Sequence, residues 1–289
     1  MTVPGPRFTV VAFHAHPDDE SLLTGGTLAQ VSAAGHRVVL VTATNGERGL
    51  ARPEDGVGQR LADARRRELL TAARELGCAR VVTLDYADSG LHPDPDDEEA
   101  FANLDVEAAA ARLAEVLAEE RADLLLTYDR HGGYGHPDHV QAHRVASRAA
   151  VLARTPCVLE ATVPGRLFRL ALLALRCLGD ALGRSAPLGV AEVFADPGTI
   201  THRIRVGDSL EAKRRAMQAH RTQAGGGDEP RVLDRVLRLP SPLFGLAFGH
   251  EWFIEQQRSA ARSGGRRLEH DLFASLRHRE SPVPARGSS

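Results

Sequence analysis

The feature that most constrains the fold is a series of short, continuously apolar segments alternating with segments of helical periodicity. The predicted strands are residues 8–13, 36–43, 80–84 and 124–128. The predicted helices are residues 21–34, 59–76, 106–120 and 140–153. Strands that are apolar along their whole length are typical of a parallel sheet covered by helices on both faces. The sequence therefore predicts an α/β fold with a Rossmann-like parallel sheet sandwiched by helices.

The pattern weakens beyond residue 155, where we expect a smaller C-terminal α+β portion. The expected elements are strands over residues 157–163, 190–194 and 200–206 and a helix over 209–220. The chain divides into a Rossmann-like catalytic core (1–155), a C-terminal portion that completes the substrate pocket (156–258) and a mostly flexible tail (259–289). The tail is expected to be flexible because it is rich in Arg, Ser, Gly and Pro.

Residues 166–184 form a Leu- and Ala-rich segment whose charged residues fall on one arc of a helix. The segment is too short and too charged to span a membrane. A helix buried against the domain or a partner subunit is the simpler interpretation. A lid or a helix lying on a membrane surface is the alternative.

Composition excludes several classes of protein. The chain has 289 residues, and a net charge of −2 gives no global basic field for nucleic acid. Three scattered cysteines do not make a disulfide framework, so a reduced, cytoplasmic protein is expected. The first residues lack the apolar core of a signal peptide, and no transmembrane segment is predicted. The sequence leaves open whether the protein forms a homo-oligomer.

Two polar clusters stand where predicted strands end. Residues 14–20 read His-Ala-His-Pro-Asp-Asp-Glu, and residues 131–139 read His-Gly-Gly-Tyr-Gly-His-Pro-Asp-His. Ligands bind beyond the carboxyl ends of the strands in parallel sheets. Carboxylates gathered this closely are costly unless a positive charge holds them, and a divalent metal is the simplest candidate. His16 and Asp19 suit one ion, and a catalytic zinc takes about three protein ligands.

The segments Ala15–Glu20 and Gly135–His139 together resemble the signature of the LmbE-like deacetylases. These form the zinc-dependent N-acetylglucosaminyl-phosphatidylinositol de-N-acetylase (PIG-L) family, which includes the mycothiol- and bacillithiol-pathway deacetylases. The resemblance covers residues 8–153 and, more loosely, 211–223. Its motifs are most similar to those of the mycothiol-pathway members.

The resemblance implies that His16, Asp19 and His139 bind zinc, with another divalent ion such as Fe²⁺ as an alternative. It also implies that Asp18 is the general base and that His136, if protonated, stabilises the oxyanion. A buried hydrogen-bonded cluster is the alternative for the three ligands, and a helix N-cap is the alternative for Asp18. His136 has a capping or orienting role as its alternative.

By the same resemblance, Arg65 and Asp88 hold sugar hydroxyls or a phosphate-like group, and Tyr134 assists at the carbonyl. A salt bridge between loop and helix is the alternative for Arg65 and Asp88. His14, Glu20 and His143 are expected to have supporting roles.

The predicted function is removal of an N-acetyl group from an N-acetylglucosamine-type conjugate by a zinc hydrolase. The first alternative is an amidase of the same family that acts on a larger thiol-sugar conjugate or glycosylated natural product. A catalytically silent sugar-binding protein is the second alternative. A metal phosphoesterase is disfavoured because it usually needs two metals and more bridging carboxylates.

Overall fold

The computed structural model of the chain describes residues 6–49, 55–165, 198–224, 232–259 and 267–280. The strands are β1 (Thr9–His14), β2 (Arg37–Thr44), β3 (Arg80–Tyr86), β4 (Leu124–Tyr128), β5 (Cys157–Thr162), β6 (His202–Arg205) and β7 (His250–Glu255). The helices of the first half are α1 (Asp19–Leu23), α2 (Gly25–Ala33), α3 (Gln59–Glu75), α4 (Val106–Glu119), α5 (Gly132–Gly135) and α6 (Pro137–Ala153). Those of the second half are α7 (Leu210–Ala219), α8 (Arg221–Ala224), α9 (Val232–Leu237), α10 (Ser241–Phe248), α11 (Gln256–Ser259) and α12 (Ala274–Glu280). Short 3₁₀ turns are Phe101–Asn103 and Gly207–Ser209.

The strands form one sheet in the order β3-β2-β1-β4-β5-β7-β6. Strands β1 to β4 are parallel, as predicted, and the α/β fold is confirmed. Strand β5, expected in the C-terminal portion, joins the same sheet in parallel with β4. The sheet is nevertheless mixed, because β7 pairs with β5 and β6 pairs with β7 in antiparallel fashion. The C-terminal portion thus extends the same sheet and covers the edge that β5 would otherwise expose.

The sheet separates two apolar layers because successive side chains of a strand point to opposite faces. Val10 and Ala12 of β1 face a layer that includes residues of α2, α3 and α7. Val11 and Phe13 face a second layer built with α4 and α6. All four side chains are fully buried. The central strands therefore present only their ends to solvent, which places the site at a strand end.

The predicted helix over residues 21–34 is two helices, because the chain leaves the helical conformation at Thr24, with φ −130°. The Glu251 carboxylate accepts the first backbone N–H groups of α2 at 2.8 and 2.9 Å. Lys213 Nζ donates to the Leu22 carbonyl at 2.8 Å and to Glu251 at 2.6 Å. Groups from the C-terminal portion thus satisfy the backbone that the break exposes.

Residues 267–280 pack against the core, in contrast to the expected flexible tail. The Phe273 ring is buried and stacks on Phe8 with a centroid separation of 4.6 Å. Leu272 and Leu276 are buried beside it, so these apolar side chains hold α12 on the sheet layer. The segment 166–184, the predicted strand 190–194 and the rest of the expected tail lie outside the described residues. Among the described residues, no helix is long and apolar enough to cross a membrane.

Candidate active site

The two polar clusters meet at one edge of the sheet because the strands before them are neighbours. Strands β1 and β4 pair in parallel, with Val11 opposite Leu125, so both end on the same side. From β1 the chain proceeds to β2 and β3 in one direction, whereas β4 leads to β5 in the other. The crevice between β1 and β4 is thus the point where strand order reverses. Ligands of open α/β sheets bind at such points.

Three predicted ligand atoms converge in this crevice. His16 Nδ1, Asp19 Oδ2 and His139 Nε2 lie 3.3 Å from one another in every pair. Zinc bonds of about 2.0 to 2.2 Å place neighbouring ligand atoms of a tetrahedron about 3.3 to 3.6 Å apart. The three atoms therefore fit three corners of a zinc site. His136 lies beside them, and its ligand nitrogen is within 4.8 Å of those of His16 and His139.

Hydrogen bonds orient both imidazole ligands. His139 Nδ1 lies 3.2 Å from the Gly132 carbonyl, which requires an N–H there and leaves Nε2 as the lone-pair atom. His16 Nε2 lies 3.1 Å from Asp138 Oδ2, which assigns the proton to Nε2 and the lone pair to Nδ1. A carboxylate or carbonyl behind a ligand histidine is the usual arrangement in metal sites. Both lone pairs consequently point to the shared centre.

The Asp19 carboxylate is held by Tyr128, the last residue of β4. Tyr128 Oη donates to Asp19 Oδ2 at 2.7 Å and accepts the Ala15 N–H at 2.8 Å. Burial opposes ionisation of Asp19, but His139 and His16 outweigh it and lower the pKa of this carboxyl well below its usual range. Asp19 is therefore a carboxylate at neutral pH, as a metal ligand must be.

Sequence reasoning missed Tyr128 and Asp138 as parts of this site. Asp138 stands between two predicted site residues in the second cluster, so its position was a signal. Tyr128 is the one residue with an aromatic hydroxyl in an apolar strand of five, and its place at the carboxyl end was a weaker signal. Both act by holding ligands rather than as predicted ligands themselves.

Asp18 lies at the N-cap of α1 beside the three ligands, but its side chain caps no backbone N–H. Burial raises the pKa of Asp18 to about 6, although Arg65 acts to lower it. Arg65 Nη2 lies 3.2 Å from Asp18 Oδ1. A carboxyl with a pKa near 6 is suited to accept and return a proton near neutral pH. The capping alternative has no support from a side-chain hydrogen bond in the described structure.

His136 is the N-cap of α6, and its Nδ1 accepts the Asp138 N–H at 3.2 Å. Nδ1 therefore carries a lone pair, and in the neutral ring Nε2 carries the proton. Burial and the neighbouring imidazoles of His16 and His139 lower the pKa of His136 to about 4. A lowered pKa favours a neutral His136 that offers one N–H, and a role for this residue at the oxyanion stays a prediction. Its capping role and a role as hydrogen-bond donor are compatible.

Tyr134 lies on α5 at the mouth of the crevice and is 48% exposed. Its ring stands edge-on to His139, with a centroid separation of 5.1 Å, and 6.0 Å from His136. Burial of the hydroxyl and nearby carboxylates raise its pKa above the usual tyrosine range, so it is a neutral O–H donor. The flanking Gly133 and Gly135 have positive φ, which only glycine adopts readily.

Arg65 and Asp88 both lie near the centre and contact protein groups. Arg65 is 3% exposed, and its guanidinium also donates to the carbonyls of Gly46 and Pro17 at 2.9 and 2.5 Å. Asp88 Oδ1 lies 3.5 Å from His16 Nε2, and this carboxylate accepts the N–H groups of Arg48 and Gly90. Their contact with a sugar stays a prediction.

His14 of the first cluster and His143, which lies just beyond the second, make hydrogen bonds away from the three predicted ligands. His14 Nε2 lies 3.1 Å from Thr24 Oγ1, and His143 Nδ1 lies 3.2 Å from the Tyr128 carbonyl. Glu20 is fully buried and lies 2.7 Å from Nε2 of His220, which follows α7. His220 was assigned no role from the sequence beyond packing near the site. The structure gives it a direct hydrogen bond to the first cluster.

Residues 11–150 match the family model described as GlcNAc-PI de-N-acetylase, PIG-L. These residues contain both polar clusters and the strands β1 to β4. A curated relative is the 1D-myo-inositol 2-acetamido-2-deoxy-alpha-D-glucopyranoside deacetylase 1 of Catenulispora acidiphila. It is 37% identical, over 91% of this chain and 88% of its own length.

Among solved structures, the N,N'-diacetylchitobiose deacetylase of Pyrococcus horikoshii superposes with a TM-score of 0.59 at 21% identity. The match covers 93% of this chain and 88% of that one. The 4-carboxy-2-hydroxymuconate hydratase GalB of Pseudomonas putida superposes with a TM-score of 0.54 at 18% identity, over 92% and 99% of the two chains. These likenesses show the fold. Since the two proteins are named for different reactions, the fold alone does not fix the chemistry.

Proposed function

Since the chain belongs to the GlcNAc-PI de-N-acetylase (PIG-L) family, we propose that it is a zinc-dependent deacetylase of an inositol-linked N-acetylglucosamine. The reaction is hydrolysis of the acetamide C–N bond, which yields acetate and a free amine. The relative from Catenulispora acidiphila is named for this class of substrate and is 37% identical over 91% of this chain.

The observation that carries the proposal is the convergence of three lone-pair atoms, 3.3 Å apart, beside Asp18. His16, Asp19 and His139 would hold the zinc ion. When bound, the ion polarises the amide carbonyl and lowers the pKa of a water molecule towards about 7. Another divalent ion such as Fe²⁺ would supply the same chemistry.

The chain itself performs the proton transfers. The Asp18 carboxylate accepts a proton from the attacking water as the C–O bond forms. The Nε2–H of neutral His136 donates a hydrogen bond to the oxygen that becomes negative, and the Tyr134 hydroxyl assists it. Asp18 then returns its proton to the amine nitrogen as the C–N bond breaks, which leaves the base ready for another cycle.

Support for the domain division comes from the residues after α7. His220 and Thr222 contact Glu20 and Glu68, so the C-terminal portion reaches the first cluster. We propose that residues 156–258 complete the pocket on the side that faces the rest of the substrate. Arg65 and Asp88 are proposed to contact the sugar from the opposite side of the pocket. There they lie next to Asp18 and His16, the side chains that they contact.

The direct test incubates the protein with the inositol-linked N-acetylglucosamine, other N-acetylglucosamine conjugates and a thiol-sugar amide. Acetate and free amine are measured before chelation, after it and after zinc is restored. We expect equal amounts of acetate and amine from the inositol conjugate, loss on chelation and recovery with zinc.

Preference for the thiol-sugar amide would instead favour the amidase function within the same family. Sugar binding without release of acetate would favour the silent binding protein. Turnover that persists after demonstrated removal of the metal would contradict the metal-dependent mechanism.

A further inference from the structure

The backbone of Asp18 adopts a conformation that an L residue rarely takes, with φ 117° and ψ −31°. Such conformations persist only where the surrounding structure holds them. The conformation sets where the Asp18 carboxyl points, while Asp19 starts α1 and turns its own carboxyl to the ligand centre. What holds this backbone is therefore part of how the base is aimed.

The peptide plane between Pro17 and Asp18 is held at both ends. Arg65 Nη2 donates to the Pro17 carbonyl at 2.5 Å, and the Asp18 N–H donates to Glu20 Oε2 at 2.9 Å. A peptide plane cannot rotate without breaking at least one of these hydrogen bonds. Arg65 and Glu20 thus define the orientation of this plane from opposite sides.

Glu20 is itself held from a distant part of the chain. His220 Nε2 lies 2.7 Å from Glu20 Oε1, across a sequence separation of 200 residues, and both side chains are fully buried. The Ser21 hydroxyl donates to the same oxygen at 2.6 Å. The other ring nitrogen of His220, Nδ1, is buried without a hydrogen-bond partner among the described residues. Among the described residues, the polar contact of the His220 ring is thus its hydrogen bond to Glu20.

We propose that His220 is a positioning residue for Asp18: through Glu20 it fixes the Pro17–Asp18 peptide and so aims the base. In the described structure His220 hydrogen-bonds Glu20 and none of the predicted ligands, and its charge also acts to lower the pKa of Asp18. The proposal rests on the proposed function for its kinetic consequence, but its structural consequence does not depend on any substrate. If the buried pair of His220 and Glu20 were purely structural, its loss would lower stability without a specific loss of kcat.

The experiment compares His220→Leu, which removes the N–H donor, with His220→Gln, whose Nε2 reaches the same place. Each is assayed with the inositol-linked N-acetylglucosamine, its zinc content is measured, and its crystal structure is determined. We expect His220→Leu to lose about 10- to 100-fold in kcat, with KM and bound zinc little changed, because small misplacement of a catalytic group has effects of this size. In the crystal, the Pro17–Asp18 peptide should rotate. His220→Gln should restore both the rate and the peptide.

Thr222→Val is the matched control, since Thr222 also ties this segment to the core, through Glu68, without contacting Glu20. It should lower the melting temperature and leave kcat within about twofold, as expected for a lost hydrogen bond remote from the chemistry. Combining His220→Leu with Glu20→Ala should cost no more kcat than Glu20→Ala alone, because residues that act in series are not additive. If His220→Leu does not fold, His220→Asn, whose amide is too short to reach Glu20, takes its place.

An unmoved peptide in His220→Leu would overturn the proposal, whatever the rate. A moved peptide with unchanged kcat would also overturn it, as would equal losses in His220→Leu and Thr222→Val. If the wild-type protein deacetylates none of the sugars, the proposed function fails, and the crystal structures still decide whether His220 holds the peptide.

Discussion

The two halves of the site are held in different ways. The first cluster, residues 14–20, depends on distant elements: Arg65 of α3, Tyr128 of β4 and His220 after α7. The second cluster, residues 131–139, has more hydrogen bonds with its own backbone and immediate neighbours, although Asp138 also accepts hydrogen bonds from His16 and from the Ser89 N–H.

Within the second cluster, the Asp129 carboxylate accepts the N–H groups of His131 and Gly133, and His136 caps its own helix. Local hydrogen bonds can form as soon as a turn forms, whereas distant partners require the whole fold. The proposed base, Asp18, and one proposed ligand, Asp19, thus lie in the part that depends on tertiary structure. The groups proposed to donate to the substrate, His136 and Tyr134, lie in the cluster with more local hydrogen bonds, and Tyr134 is 48% exposed. Variants in the two clusters should therefore distinguish side chains that contribute to catalysis from side chains that contribute to local order.

The largest effect is expected from Asp18→Asn, in the first cluster. The amide cannot accept the proton of the attacking water, so kcat should fall by about 10²- to 10⁴-fold. Zinc content should stay at the wild-type level, because Asp18 is adjacent to the ligands but is not one of them. Activity assays and metal analysis on the same sample measure both. Loss of zinc equal to that of His16→Ala would refute the assignment of Asp18 as the base.

Next in size is Arg65→Met, which removes one of the distant supports. kcat should fall by about 10- to 100-fold because the base is no longer held in place. Arg65 lowers the pKa of Asp18 against the effect of burial. Its removal should therefore raise that pKa above about 6, and the acid limb of the kcat profile should move to higher pH. An acid limb that does not move would contradict the positioning role of Arg65, and a raised KM would then attribute its effect to the proposed contact with the sugar alone.

A smaller effect is expected from Tyr134→Phe, in the second cluster. A hydroxyl on a half-exposed side chain that assists at the carbonyl should contribute about tenfold to kcat or less. The melting temperature should not change, since the ring contacts with His136 and His139 are kept. A large thermal shift would mean that the hydroxyl supports the turn rather than the reaction.

The smallest effect on catalysis is expected from Thr162→Val, behind the second cluster. Its hydroxyl donates to Asp129 Oδ2 at 2.6 Å, and Asp129 organises the turn before α5. Loss of this hydrogen bond should cost about 1 kcal/mol in the free energy of unfolding. Urea denaturation measures that cost, and kcat should stay within about twofold. A loss of kcat comparable to that of Arg65→Met would remove the distinction between the two halves of the site.

Much of the fold could be predicted from the sequence, because apolar strands and amphipathic helices are local signals. Candidates for the ligands and the base could be proposed because both clusters are compact in sequence and follow strands. The break at Thr24 could not be predicted. The groups that hydrogen-bond the backbone exposed there, Lys213 and Glu251, lie far along the chain. The antiparallel strands β6 and β7 were missed as members of the same sheet for a similar reason. Strand direction depends on tertiary pairing, which the strand sequences do not encode.

The hydrogen bond from Gly26 to Glu251 spans 225 residues, and that between Glu20 and His220 spans 200. During synthesis the first cluster leaves the ribosome early, long before either partner has been translated. Until then Glu20 lacks its partner His220, and the Gly26 and Thr27 N–H groups lack the Glu251 carboxylate. A nascent chain that carries every ligand residue should therefore remain inactive, and activity should appear only once translation has passed β7. The site is in this sense assembled from both ends, and the order of synthesis determines when hydrolysis can begin.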